Sequence, residues 1–190
     1  IADIPRKQAK TINLGLFYGM GKGKLMSELG VNIEEATELL QSYHERVPFV
    51  KKLTYDTQGI ASKNGFLTTI QGRRCRFDLW ESELEWGKKA LPEEEAGREY
   101  GKKTIKRAWT YKALNKLIQG SAADQIKTAM VHLHREGYTS HIQVHDELDF
   151  SVASDADKAK IKEIMENCVE LSVPSKVDVE CGDNWGDAGD

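Results

Sequence analysis

The sequence contains little cysteine: three residues in 190, at positions 75, 168 and 181, with no Cys-x-x-Cys pair among them. Widely spaced cysteines in odd number predict reduced thiols and exclude a disulfide framework or a clustered zinc site. The sequence also lacks an apolar run of membrane-spanning length and any stretch that resembles a signal peptide, so we expect no membrane partner. Its apolar content of 39% suffices for the core of one domain or of two partial ones.

An excess of positive charge is absent too. The formal net charge of −3 argues against a generally basic nucleic-acid binder. The charges are nevertheless segregated along the chain. Acidic residues cluster at Glu81, Glu83, Glu85, Glu93, Glu94 and Glu95. Basic residues follow at Arg98, Lys102, Lys103, Lys106, Arg107, Lys112 and Lys116. A local basic stripe of this kind can grip phosphates while the whole chain stays acidic.

Residues 142–150 predict two short strands around a tight turn, because apolar and polar side chains alternate on both sides of it. His145, Asp146 and Glu147 are adjacent at the bend. Neighbouring carboxylates repel each other unless positive charge lies nearby. Hard oxygen ligands at a rigid turn suit Mg²⁺ or Mn²⁺. An isolated Asp-Glu pair also fits a plain solvated acidic turn, so the hairpin alone leaves both interpretations open.

Residues 3–19 predict a helix, with Asp3 as its capping residue, Pro5 in its first turn and Gly19 at its end. Every fourth side chain forms a stripe about 18 Å long at 1.5 Å per residue. The stripe consists of Arg6, Lys10, Leu14 and Tyr18. Cations at one end and an aromatic ring at the other suit a nucleoside triphosphate. A basic helix face is often simply solvated, so this feature too has two interpretations.

The remaining sequence predicts helices at 24–29, 33–47, 48–63, 97–109, 111–136 and 155–172. It also predicts a hairpin of 66–70 with 73–77, a polar irregular connection at 80–96 and a last strand at 177–181. The glycine-rich segment 19–24 is not a P-loop, because no glycine stands five positions before either Gly-Lys pair and no Ser or Thr follows them.

The first helix and the late hairpin together resemble two sequence motifs of family A DNA polymerases, the family of bacterial DNA polymerase I and related phage replicative enzymes. The helix reads Arg-x-x-x-Lys-x-x-x-Leu-Gly-x-x-Tyr-Gly over 6–19, and the hairpin reads Val-His-Asp-Glu over 144–147. Between them, Asn-Lys-Leu-Ile-Gln-Gly-Ser-Ala-Ala-Asp at 115–124 is similar to the palm helix at the template–primer junction. The Gly-Arg-Arg turn at 72–74 and residues 177–185 fit as well. These matches occur in the right order over essentially all of the chain.

The resemblance implies an α+β fold: a mainly helical fingers portion over residues 1–95, then part of an antiparallel-sheet palm over 96–190 that carries the hairpin. The expected partners are primer–template DNA and dNTPs, and the expected location is the cytoplasm of a bacterium or of an infected host. The family's other metal-binding Asp belongs to a motif such as Asp-Tyr-Ser-Gln-Ile-Glu, which is not in this sequence. We therefore expect a C-terminal portion, either a piece of a longer chain or one partner of a split enzyme, that is inactive by itself.

The resemblance also implies roles at the reacting groups. The residue that matches Asp146 binds two Mg²⁺ ions, with Mn²⁺ as an alternative, and Glu147 would serve as a direct ligand or act through water. Arg6 offers a fork to the β- and γ-phosphates. Lys10 supplies a point charge that can protonate the leaving pyrophosphate.

On the DNA side, Tyr18 would pack at the templating position, and His145 would lie near the primer's terminal phosphate or simply hydrogen-bond within its turn. Asn115 and Gln119, one helical turn apart, can reach minor-groove acceptors that every base pair presents. Without the family match, these two amides would be read as part of an ordinary surface helix.

Two positions depart from the family pattern. Leu14 stands where most relatives carry Phe or Tyr, so its contact with the sugar of the incoming nucleotide must differ. Tyr111 stands where many relatives carry Arg, and Lys112 is the candidate to supply the missing charge beside the primer.

Three functional hypotheses follow. The leading one is a polymerase portion that completes a two-metal nucleotidyl-transfer site with residues from outside the sequence. The second is a catalytically inactive remnant that binds nucleotide or DNA. The third is an interaction protein whose basic stripe binds an acidic partner, which explains the charges but not the His-Asp-Glu hairpin.

Overall fold

The computed structural model describes residues 6–85 and 87–188 of the chain. It has an α+β fold in which helices are joined to small antiparallel sheets. The chain forms two compact units. The first comprises residues up to Thr68 together with Arg74–Leu117, and the second comprises Thr69–Arg73 and the residues from Ile118 onward. The predicted fingers–palm boundary at residue 95 rests on the family resemblance, and it stays a prediction.

Four helices open the first unit: α1 (Arg6–Phe17), α2 (Lys22–Leu29), α3 (Ile33–Arg46) and α4 (Pro48–Asn64). Leu16 of α1, Leu25 of α2 and Ala36 of α3 form a buried cluster, which partly buried apolar side chains surround. The local sequence explains where these helices begin and end. Asn32 forms a capping box at the start of α3, and Pro48 occupies the first turn of α4.

A hairpin follows α4, with β1 (Phe66–Thr68) paired antiparallel to β2 (Arg74–Arg76). Leu67 faces Cys75 across the ladder, and Leu67 packs with Ala61, Phe77 and Ala113 in a second buried cluster. The neighbouring pairs on the opposite face are solvent-exposed or half-buried. This is the period-2 alternation of a hairpin that has one face on a core.

Residues 79–107 depart most from the prediction. The segment at 80–96 was expected to be irregular but contains two strands, β3 (Leu79–Ser82) and β4 (Leu91–Pro92). A helix was expected at 97–109. The structure has a shorter and earlier helix, α5 (Glu93–Tyr100), followed by the strand β5 (Ile105–Arg107). The strands form an antiparallel sheet in the order β4-β3-β5. The helix ends early because Gly101 takes a φ of 88°, and the Thr104 hydroxyl bonds back to the carbonyl of Gly101 at 3.0 Å.

The two ends of this segment lie side by side. The backbone N–H of Ala108 donates to the carbonyl of Leu79 at 2.8 Å, next to the pairing of β3 with β5. A short 3-10 helix, Thr110–Lys112, then leads into α6 (Ala113–Arg135), which runs through the boundary between the two units.

The second unit contains most of α6, the hairpin of β6 (Ile142–Val144) and β7 (Glu147–Asp149), and α7 (Asp155–Asn167). Ala129 and Leu133 of α6 pack with Ile161 of α7 and with Cys168 in a third buried cluster. Burial raises the pKa of the Cys168 thiol, which fits a structural side chain rather than a reactive one.

Two predictions near the C-terminus are wrong. The helix predicted over 155–172 ends at Asn167, and the strand predicted at 177–181 has no regular structure. The N–H of Val177 donates to the Glu166 carboxylate at 3.0 Å instead of joining a strand ladder. Among the described helices, none is both long enough and apolar enough to cross a membrane.

Candidate functional site

The predicted nucleotide helix is α1, and the two middle residues of its predicted stripe lie on an exposed face. Lys10 and Leu14, which are four residues apart, are both exposed, and Leu14 keeps 48% of its surface accessible. Ile12, which lies between Lys10 and Leu14 in the sequence, packs against the core of the first unit, and so does Leu16. The helix therefore packs one face on the core and exposes Lys10 and Leu14 to solvent on another.

Tyr18 follows the last residue of α1 rather than lying within the helix. Its N–H bonds to the carbonyl of Leu14 at 3.0 Å, and its ring meets that of Phe17 edge to face at 5.3 Å. Gly19 then takes a φ of 83°, which ends the helix where the sequence predicts. Tyr18 is half-buried.

Arg6 is the first residue of α1, and its side chain lies outside the described part of the structure. Asp3 and Pro5, predicted to begin the helix, are also outside the described residues. Their predicted roles stay predictions.

The β6–β7 hairpin places His145 and Asp146 in a two-residue turn, with Val144 paired to Glu147. His145 has a φ of 54°, in the left-handed region that few residues other than glycine occupy. A positive φ at the first turn residue is typical of the primed turns that join two-residue hairpins, in which glycine, asparagine or aspartate is usual. Gln143 secures the turn by donating from its side-chain amide to the His145 carbonyl at 2.5 Å.

All three side chains at this turn are exposed to solvent: His145, Asp146 and Glu147. The two carboxylates are adjacent hard oxygen donors, which is the donor chemistry that Mg²⁺ and Mn²⁺ take. Among the residues that the structure describes, no group of three or more potential metal ligands comes together. Asp146 and Glu147 are thus two residues of the described chain that could hold a divalent cation.

Asn115 and Gln119 both lie on α6, as predicted, and differ in exposure. Gln119 is exposed, whereas Asn115 is half-buried. The Oδ1 atom of Asn115 is buried and has no hydrogen-bond partner among the described residues. A buried acceptor without a partner costs about 1–3 kcal/mol, so Asn115 is not simply an ordinary surface residue of the helix.

Tyr111 and Lys112 form part of an exposed aromatic group before α6. The Lys112 ammonium lies 5.5 Å from the centre of the Tyr111 ring and 5.9 Å from that of Trp109. A cation over a ring face is attracted without being neutralised, so the charge of Lys112 stays available to a phosphate. Trp109 was not among the predicted site residues, although two aromatic residues beside a lysine are a pattern typical of nucleic-acid binding.

A buried ionic network, also missed, joins the β1–β2 turn to α6. The Asp124 side chain is only 7% exposed, and it accepts from the Thr69 hydroxyl and from Arg73 Nε at 2.7 Å. Burial by itself raises the pKa of Asp124, but the hydrogen bonds from Thr69 and Arg73 and the charge of Arg73 outweigh it and leave that pKa below its ordinary value. Asp124 is therefore a charged anchor of the second unit.

The predicted site residues divide between the two compact units. Lys10, Leu14, Tyr18, Tyr111, Lys112 and Asn115 belong to the first. Gln119 and the residues of the hairpin turn belong to the second.

Comparison with known proteins gives a consistent result. Residues 1–187 match the sequence profile of DNA polymerase family A. A DNA-directed DNA polymerase of Pseudomonas phage M6 is 38% identical over 98% of this chain and 30% of its own length. DNA polymerase I of Treponema pallidum is 35% identical over 96% of this chain and 17% of its own length.

A solved structure is similar as well. The POL domain of Pol1 from M. smegmatis, in complex with DNA primer–template and dNTP, matches 97% of this chain with a TM-score of 0.75 and 31% sequence identity. The match covers 31% of that domain's chain. This chain thus spans less than a third of each protein that it resembles here, at 30%, 17% and 31%.

Proposed function

Since this chain belongs to DNA polymerase family A, we propose that it is the portion of a DNA-directed DNA polymerase that binds dNTP and primer–template and contributes one of the two metal-binding aspartates. Residues 1–95 would form the fingers portion and residues 96–190 the palm portion. The observation that carries the proposal is the exposed Asp146–Glu147 pair at a tight hairpin turn, within a chain that matches the family along its length.

Asp146 would hold two Mg²⁺ or Mn²⁺ ions together with an Asp from outside this sequence, and Glu147 would be a ligand or act through water. When bound, the two ions would lower the pKa of the primer 3′-hydroxyl and stabilise the charge that develops on the transferred phosphoryl group. The β6–β7 turn contributes position: a short hairpin keeps both carboxylates at a fixed point of the backbone.

Lys10 and Arg6 would bind the triphosphate from α1. The primer 3′-hydroxyl loses its proton to solvent and its oxygen forms a bond to the α-phosphorus. The bond from that phosphorus to the oxygen that bridges it to the β-phosphorus breaks. The leaving pyrophosphate takes a proton from Lys10, whose ammonium group is exposed to solvent on α1. Leu14 and Tyr18 would contact the sugar and the templating position.

On the DNA, Asn115 and Gln119 would approach the minor groove, and His145 the terminal phosphate of the primer. Lys112, held over two aromatic rings, would bind a backbone phosphate beside Tyr111. Phosphate contacts of this kind fix register, and minor-groove amides accept every correct base pair. Both properties are what a template-directed enzyme requires.

The proposal is tested by complementation. The 190-residue chain with Mg²⁺ should not extend a primer, and mixing it with an N-terminal polymerase portion that carries the missing Asp motif should restore templated synthesis. Asp146→Asn should abolish that synthesis, because the amide cannot replace a carboxylate that binds two cations.

The matched control is Asp149→Asn, an equivalent change on the same hairpin two residues beyond Glu147. It should retain most of the synthesis. Near-full activity of Asp146→Asn would refute the site assignment. Templated synthesis by the 190-residue chain alone would refute the need for a second aspartate.

A further inference from the structure

The tip of the β1–β2 hairpin is bonded to a single turn of α6. The backbone N–H of Ile70 donates to the Ser121 hydroxyl at 3.3 Å, and the Thr69 hydroxyl donates to Asp124. The Arg73 side chain donates from Nε to Asp124 Oδ1 at 2.7 Å and from Nη2 to the Gly120 carbonyl at 2.9 Å. All of these residues belong to the second compact unit.

The tip is itself ordered for this contact. The N–H of Arg73 donates to the Thr69 hydroxyl at 3.1 Å, and Gly72, with a φ of 80°, donates from its N–H to the Thr69 carbonyl at 2.9 Å. The Thr69 hydroxyl thus accepts from one side of the turn and donates to Asp124 on the other. A side-chain network in which each group is satisfied holds one geometry rather than several.

The Arg73 guanidinium reaches two points of α6 that are one helical turn apart, a backbone carbonyl and a carboxylate. A planar fork with fixed donor directions can make both bonds at once, whereas the point charge of a lysine can satisfy only one of them well. One of these points is the carbonyl of Gly120, the residue that directly follows Gln119. The fork therefore fixes the backbone beside Gln119, whose side chain is exposed.

We infer that Arg73 is a positioning residue: with Asp124, it fixes the turn of α6 from which Gln119 contacts the primer–template. The inference rests on the proposed function, in which Gln119 binds DNA. A displacement on the order of 1 Å is enough to lose a directed contact. Asp124 supplies the buried negative charge that orients the guanidinium, and Thr69 and Ser121 complete the attachment of the tip.

A double-mutant cycle tests this inference. Primer–template affinity is measured by fluorescence anisotropy for the 190-residue chain with Gln119→Ala, with Arg73→Lys and with both changes. We expect each single variant to weaken binding about tenfold, as for one lost hydrogen bond. The double variant should bind no more weakly than Gln119→Ala alone, because Arg73 acts through Gln119.

The matched control is Arg74→Lys, the neighbouring arginine, whose guanidinium lies over the Phe66 ring at 4.5 Å and belongs to the first unit. Any effect of this change on DNA affinity should multiply with that of Gln119→Ala. Multiplicative effects for Arg73→Lys as well would overturn the inference, since Arg73 would then act independently of Gln119.

A second readout needs no DNA. The side-chain amide resonances of Gln119, observed by NMR in the free chain, should shift and gain motion in Arg73→Lys and stay unchanged in Arg74→Lys. Unchanged resonances in Arg73→Lys would overturn the inference. If the resonances respond but Gln119→Ala leaves DNA affinity intact, the proposed DNA contact of Gln119 is refuted, and Arg73 still positions this turn of α6.

Discussion

The side-chain amide of Gln143 donates a hydrogen bond to the backbone carbonyl of His145, the residue that begins the β6–β7 turn in a left-handed conformation. The side chain of a strand residue thus braces a strained turn position two residues further on. A non-glycine residue in this region persists only where its surroundings hold it there. Asp146 is the next residue, so the hydrogen bond from Gln143 also restricts the position of the Asp146 backbone, from which the carboxylate side chain extends.

Two substitutions at His145 separate the backbone effect from the side-chain effect. His145→Gly and His145→Ala both remove the imidazole, but only glycine accepts a positive φ freely. We expect the glycine variant to be more stable than the alanine variant by about 0.5–1 kcal/mol, after allowing for the greater freedom of glycine in the unfolded chain. Urea unfolding measures the difference.

Both His145 variants should lose primer–template affinity equally, because both lack the group predicted to lie near the terminal phosphate. Full affinity in either variant would leave His145 with a role in the turn alone. An alanine variant as stable as the glycine variant would show that the turn relaxes when the side chain is removed.

Stability should depend on pH through Asp124. A carboxyl group whose folded pKa lies below its ordinary value adds stability above about pH 3.9, and that stability is lost as the pH falls through the folded pKa. At pH 7, Asp124→Asn should lower the free energy of unfolding by about 2–3 kcal/mol, moderated by the half-exposed Arg73. The gap between wild type and variant should narrow as the pH falls below 4. A gap that stays constant from pH 7 to pH 3 would contradict this linkage.

The side chain at position 14 should determine how strongly the enzyme discriminates between deoxynucleotides and dideoxynucleotides, which lack the 3′-hydroxyl. The Leu14 side chain is 48% exposed on α1, so a larger ring can replace it without repacking the core. In the complemented enzyme, Leu14→Tyr should accept dideoxynucleotides more readily than Leu14→Phe, because the tyrosine hydroxyl offers a polar partner where the sugar lacks one. The measurement is the ratio of dideoxy- to deoxynucleotide incorporation efficiency. Equal ratios for Leu, Phe and Tyr would place this side chain away from the sugar.

Lys112 should contribute one phosphate contact. Lys112→Gln is expected to reduce the slope of log affinity against log salt for primer–template by about 0.7–0.9, the contribution of one neutralised phosphate. Lys51→Gln is the control, since Lys51 is an exposed lysine on α4 with no predicted contact to DNA. If both variants change the slope equally, the cation beside Trp109 and Tyr111 has no special place on the DNA.

The sequence was most informative where structure is decided locally. Helices α2, α3 and α4 begin and end within two residues of their predicted bounds, because Asn32, Pro48 and Gly65 act on neighbouring backbone groups. The segment at 79–107 was misread because its strands have two to four residues each and are defined by pairing across the chain. Periodicity has too few residues to register in such strands.

The candidate site shows the same division. The exposed face of α1 and the turn at His145 could be anticipated from spacing and alternation. The bond from Arg73 to Asp124 joins residues 51 positions apart. The local sequence around either residue does not predict that the two are in contact. Burial and long-range pairing had to be observed in the structure before a role for Arg73 could be inferred.

The adjacency of Leu79 and Ala108 has a consequence for how such a chain can change over evolutionary time. Because the backbone N–H of Ala108 bonds to the carbonyl of Leu79, the residues between these two positions form a loop whose ends are joined. That loop contains the small sheet β4-β3-β5. A change of length within such a segment need not displace the residues before and after it, because its two ends stay joined. The region between Leu79 and Ala108 can therefore change in length while β2 and α6 keep their places in the fold.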